Sequence, residues 1–135
     1  MPGKNIYWVS LIKMIRVDTN YIIRYLINDN IEMANIVDEL ILTKKVFISN
    51  EILAEAVYVL RGVYEISKED ISNQLINLIQ FENIITSNDG IVIDALNHFK
   101  NKNLDFVDCL LCSYSKYDEV RTFDKKLNKC ITENV

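Results

Sequence analysis

Short apolar runs alternate along this chain with longer stretches whose apolar residues recur every three or four positions, the interval of one helix face. Ile15, Arg16 and Val17 form the first run, which ends at Asp18. Amphipathic stretches follow from Tyr21 to Leu26 and from Ile31 to Leu42, so a strand leads into two helices. Val46, Phe47 and Ile48 read as a second strand. Ser49 and Asn50 are placed to cap a helix carrying Ile52, Leu53, Ala56, Val59 and Leu60. Ser67 and Asp70 have capping-box spacing ahead of a helix with Ile71, Leu75, Leu78 and Ile79. Ile84 and Ile85 make a brief strand, and Ser87 caps the helix of Val92, Ile93, Leu96 and Phe99. A further helix runs from Asp105 to Tyr117, and Val120, Arg121, Thr122 and Phe123 read as a last strand ending at Asp124.

Strands separated by helices need crossover connections, which predicts an α/β fold: a central, mainly parallel sheet of four to five short strands flanked by helices on both faces. With 135 residues, half of them apolar, the chain supports one core. Three Gly and one Pro leave no composition for a linker. A single domain is expected over residues 14–135, with residues 1–13 as an N-terminal extension outside the fold. The apolar part of that extension is too short to span a membrane and lacks a secretory cleavage site.

Cysteine usage and charge adjust this picture. Cys109, Cys112 and Cys130 are odd in number and lack the spacing of a disulfide framework, which favours a reducing cytoplasm. A net charge of -4 argues against nucleic-acid binding, since phosphate contacts come from Lys and Arg. The objection weakens if several acids hold a divalent cation.

Ligands of open parallel sheets bind beyond the carboxyl ends of the strands, where Asp18 and Asp124 are expected. Each also suits the N-cap of the following helix, and the two roles are compatible. Glu55 has Ile52, Val59 and Ala56 as helical neighbours, so its carboxylate is expected beside a buried stripe. There it needs a cation, an Arg or Lys partner such as Arg61, or exposure at the stripe's edge. Asp105 and Asp108 stand one turn apart at the start of a helix, where acids gain from the macrodipole, an explanation that suits Asp105 better. Converging carboxylates would make a site for a hard cation, Mg²⁺ or Mn²⁺, able to activate water against a phosphodiester.

The stretches MIRVDTNYIIRYL, VFISNEILAEAVYVL, LDFVDCLLCSYSK and VRTFDKKL, in this order, resemble the PIN-domain family, and within it the VapC-type toxins of toxin–antitoxin pairs. The resemblance implies a metal-dependent endoribonuclease with catalytic, metal-binding acids Asp18, Glu55, Asp108 and Asp124. Asp105 would be an accessory ligand, and Asn20 and Thr122 would orient the acids. It also implies Mg²⁺ or Mn²⁺ as cofactor, a homodimer, an RNA substrate and an antitoxin partner. Lys125, Lys126 and Lys129 are the candidate phosphate contacts, against the alternative of a solvated helix face.

Other signals point elsewhere less strongly. Cys109 and Cys112 form C-x-x-C, but on an apolar helix they are expected to pack as small hydrophobes. His98, the only histidine, has no metal-spaced companion, which disfavours both zinc and a histidine triad. Tyr58 and Tyr64 are expected to pack on the core, and Trp8 is a third aromatic with a face to offer a base. Two rival functions remain. One is a non-catalytic PIN-like protein-binding module, which the presence of all four acids disfavours. The other is an aspartyl-phosphate phosphatase, disfavoured because Asn20 stands where a second Asp is expected.

Overall fold

The computed structural model describes residues 14–134, so the expected extension at 1–13 lies outside the described residues. Three two-residue strands form a parallel sheet: β1 (Ile15–Arg16), β2 (Val46–Phe47) and β3 (Ile84–Ile85), in the order β1-β2-β3. Ile15 pairs with Val46 and Val46 with Ile84, and the backbone N–H of Val46 and Ile48 extend the ladder to Asn83 and Ile85. Parallel neighbours cannot be joined by tight turns, and the crossovers are helical. Helices α1 (Thr19–Ile27) and α2 (Ile31–Thr43) link β1 to β2, and α3 (Asn50–Gly62) and α4 (Lys68–Ile79) link β2 to β3. After β3 come α5 (Asp89–Asn101), α6 (Phe106–Tyr114) and α7 (Lys125–Glu133).

Every one of these helices begins at a side chain able to satisfy an otherwise orphaned amide. Asp18, Asn30, Ser49, Ser67, Asn88, Asp105 and Asp124 each accept a hydrogen bond from the backbone N–H three residues ahead. The cap of α5 is Asn88 rather than Ser87, a one-residue shift between two residues of equal capping ability.

The buried stripes predicted from periodicity meet in one cluster, centred on Leu53, Leu60, Ile71, Leu75, Leu78, Val92 and Leu96, which are fully enclosed. Burying each such side chain contributes on the order of 1.5 to 3 kcal/mol. Ser72, buried on α4, donates its hydroxyl to the Leu96 carbonyl at 2.9 Å and so ties α4 to α5 without an orphaned polar atom. The rings of Phe99 and Phe106 meet edge to face at 6.3 Å and join α5 to α6.

Two expectations are corrected. Residues 120–123 form no strand: Phe123 is fully exposed, and Thr122 turns back on Asp124 instead of pairing with a neighbour. Among the described residues the sheet therefore has three strands where four to five were expected. The cysteines also divide differently. Cys109 is a buried free thiol, as an apolar packing residue should be, but Cys112 and Cys130 form a disulfide between α6 and α7. Packing of those helices brings their Cα atoms to 6.0 Å across 18 residues of sequence, a spacing that carries no local signal. The pairing removes the cysteine argument for a reducing compartment. Among the described residues, no helix is long and apolar enough to cross a membrane.

Candidate active site at the carboxyl edge of the sheet

Because the three strands are parallel, their carboxyl ends share one edge, and helices α1, α3 and α5 all start there. Asp18 follows β1 and is exposed, with Oδ1 accepting from the Tyr21 amide at 3.3 Å. Thr19 beside it is buried and its hydroxyl has no partner. After β2, Asn50 donates through Nδ2 to the Tyr114 hydroxyl at 3.1 Å, while its buried Oδ1 is unpartnered. After β3, the Thr86 hydroxyl donates to the Asp89 carboxylate.

Helix α6 brings two more acids. Asp105 is its N-cap, accepting from the Asp108 amide at 2.8 Å, which accounts for its position at a helix start. Asp108 is half-buried in the first turn. Burial, and after it the charges of Asp105 and Asp124, raise its carboxyl above the usual aspartate range. Asp124 caps α7 through the Leu127 amide at 2.9 Å, and its own N–H donates to the Thr122 hydroxyl at 3.0 Å. Thr122 thus braces the acid, and Asn128 in turn holds the Thr122 carbonyl at 2.9 Å.

The elements carrying the four acids pack in series: α1 on α3, α3 on α6, and α6 on α7. The charges of Asp105 and Asp124 both act on Asp108. Glu55 is exposed on α3 and forms no ion pair, with Arg61 or otherwise, among the described residues. Of the readings the sequence leaves open for Glu55, exposure at the edge of the stripe is the one found. Ile52 and Val59 are half-buried, and Glu55 stands on the outer edge of their stripe. Asn20 is exposed and faces the groove between α1 and α2 lined by Tyr21, Arg24, Met33 and Ile36.

No Lys or Arg pairs with Asp18, Glu55, Asp105, Asp108 or Asp124 among the described residues. These are hard oxygen donors without ion-pair partners, at the sheet edge that also carries unpartnered oxygens on Thr19 and Asn50, and this chemistry fits a hard divalent cation. The acids stand apart as an open arrangement: no three of them bring carboxylate oxygens within 4.8 Å of one another among the described residues.

Sequence reasoning missed the aromatic next to the last acid. Phe123, read as a strand residue, is fully exposed beside Asp124, and Tyr117 nearby in the same loop is 76% exposed. Tyr58, expected in the core, is 77% exposed on α3. The signal available for Phe123 was its place between Thr122 and Asp124, where a cap and its brace leave no room for a paired strand. Lys125, Lys126 and Lys129 are exposed on α7 and unpaired among the described residues. Lys126 and Lys129 border a cleft of about 380 Å³ with Asn101, Asn103 and Leu104.

Comparison with known proteins adds one match. A family model described as PIN domain fits residues 15–130. No curated protein and no solved structure matches the chain significantly.

Proposed function

The chain belongs to the PIN-domain family, and from that premise we propose that it is a metal-dependent endoribonuclease acting as the toxin of a toxin–antitoxin pair. The family has a nuclease-type fold, and its nucleases generally use divalent metals. The observation that carries the reading is Asp108: a half-buried carboxyl, raised by burial and by two acidic neighbours, with no basic partner. The helix start favours an acid here only modestly, whereas a cation site calls for a carboxylate without a basic partner.

In this reading Asp18, Glu55, Asp108 and Asp124 hold Mg²⁺ or Mn²⁺, with Asp105 accessory. When bound, the ion supplies charge neutralisation at the phosphodiester and an acidified water. The chain's own part is positional. Asp105 fixes the Asp108 backbone, Thr122 fixes Asp124, and Asn20 is assigned the same role toward Asp18. Lys125, Lys126 and Lys129 offer phosphate contacts, and Phe123 offers a face on which an unpaired base can stack.

Exposed Ile31, Ile36 and Leu42 on α2 support a protein partner, and the proposal assigns that partner to an antitoxin or a second copy of the chain. The same exposed apolar side chains favour the second reading, a binding module without cleavage. Incubating purified protein with RNA and Mn²⁺ or Mg²⁺, beside a chelator control and Asp108→Asn, separates the two. Metal-dependent cutting lost in the variant is the expected result. A folded, metal-loaded protein that cuts neither structured nor unstructured RNA points to the module.

A further inference from the structure

Helices α5, α6 and α7 enclose a second polar cluster that the acids do not use. Ligand atoms of His98, Cys112 and Cys130 all lie within 4.8 Å of one another. Both cysteines are fully buried, and the imidazole is largely so. Nε2 of His98 sits 3.4 Å from Oδ2 of Asp94, close enough to feel its charge but misaligned, so this buried nitrogen makes no hydrogen bond. Asp94 is engaged elsewhere, accepting from the Ser113 hydroxyl at 2.8 Å and pairing with Lys116 at 3.0 Å. An orphaned buried nitrogen is costly, and native structures rarely keep one without a use. The companions of His98 lie on the next two helices, so no local spacing announced them.

We propose that reduction of the Cys112–Cys130 disulfide converts this cluster into a binding site for a thiophilic divalent ion, Zn²⁺ foremost. A thiol or phosphine reductant gives up two electrons and leaves as its own disulfide or phosphine oxide, the S–S bond breaks, and two protons, from the reductant thiols or from the water that supplies the phosphine oxide's oxygen, complete the thiols. Binding of the ion then releases both thiol protons to solvent. Two thiolates and one imidazole nitrogen become ligands, and a water takes the fourth position. Two thiolate charges cancel the charge of the ion, as a buried site demands. Sulfur and imidazole donors suit Zn²⁺ and discriminate against Mg²⁺ and Mn²⁺, so this site and the acids select different metals. Either linkage keeps α6, which carries Asp108, joined to α7, which Asp124 caps.

The test is a Co²⁺ titration of the full chain, oxidised and after reduction by a phosphine. Reduced protein is expected to develop sulfur-to-cobalt charge-transfer and tetrahedral ligand-field bands saturating at one equivalent, and oxidised protein none. Co²⁺ held by the carboxylates alone lacks the sulfur bands, so the cleavage site cannot imitate the result. Cys112→Ser and Cys130→Ser should each abolish the bands. His98→Gln should weaken binding by more than the roughly 10- to 100-fold that an outer-shell loss costs. Cys109→Ala should leave them unchanged. Absence of the bands in reduced protein overturns the proposal, as does their survival in Cys130→Ser or their loss in Cys109→Ala, which would place the ion on C-x-x-C. If reduction lowers helicity, Zn²⁺ is expected to restore it, because metal binding becomes folding energy. Failure to restore it counts equally against the site.

Discussion

The carboxylate of Asp105 accepts a 2.8 Å hydrogen bond from the backbone N–H of Asp108, so the residue that caps α6 also fixes the acid whose carboxyl its charge perturbs. Asp108 is thereby held where burial and like charge both oppose ionisation. A side chain that ionises unwillingly lowers stability at neutral pH. Its raised folded value means the native state holds the proton longer than the unfolded chain does. Stability is therefore full below the ordinary aspartate range and is lost as pH rises from there through the folded value.

Asp108→Asn removes the charge and keeps the shape, so two effects of opposite sign are expected. RNA cleavage should fall by more than the roughly 10- to 100-fold that loss of a ligand's outer-shell partner costs. The thermal midpoint at pH 7 without divalent metal should rise, and the difference from wild type should shrink as pH falls through the folded value. Cleavage assays and thermal melts on the same preparations check both. A variant that cuts at the normal rate removes Asp108 from the site, and one that melts lower shows that its charge is compensated.

Thr122 tests whether bracing Asp124 matters to chemistry. Its hydroxyl is the acceptor for the Asp124 amide, and Thr122→Val leaves that amide without a partner while conserving volume. Cleavage is expected to drop roughly 10- to 100-fold, with Thr122→Ser restoring most of it. Normal cleavage by Thr122→Val with loss in Thr122→Ser would show that the methyl group, and not the hydrogen bond, is what counts.

How much of this was legible in the sequence depends on the range of the interaction that decides each feature. Helix caps are local: Asp18, Ser49, Ser67 and Asp124 lie within three residues of the amides they satisfy, and the sequence shows all of them. The stripe through Leu53, Ala56 and Leu60 is likewise written in its spacing. The sequence shows which face of α3 is buried but not where the burial ends, so it left Glu55 open between a partnered carboxylate and exposure at the edge, and the edge is where it stands. The Cys112–Cys130 pair and its neighbour His98 arise only when α5, α6 and α7 pack together. Phe123 misled because a β-former next to Val120 and Thr122 looks like a strand until the brace on Asp124 takes the backbone away from any partner.

Phe123 is fully exposed, so its ring adds no packing to the fold. Phe123→Ala is therefore expected to leave the thermal midpoint unchanged. If the ring stacks on a base, binding of single-stranded RNA should weaken by about 1 to 3 kcal/mol, read as a higher KM with kcat little altered. Lys126→Gln offers the contrast, because loss of a phosphate contact should reduce the salt dependence of binding and loss of a stacking ring should not. Phe123→Ala binding RNA normally would assign the ring to a protein partner.

Cys109 provides the last test, because its environment makes a prediction opposite to that for a reactive thiol. Burial, partly offset by Lys68, pushes it up from 9.0 to about 12. The native thiol is thus protonated at neutral pH and should resist alkylation, while the denatured oxidised chain should yield one reactive thiol and the denatured reduced chain three. Linkage gives the sign for stability. The unfolded chain releases this proton near 9 and the folded one only near 12, so stability is full below the lower value and falls as pH rises between the two. Cys109→Ala leaves a small cavity and should lower stability at pH 7, yet it should flatten the alkaline decline relative to wild type. Denaturant melts at stepped pH measure that difference in slope, which cancels the titration of lysines common to both proteins. Equal slopes, or rapid labelling of the native chain, would mean that α6 opens to solvent at Cys109, and the half-burial of Asp108 one position before it would fail with it.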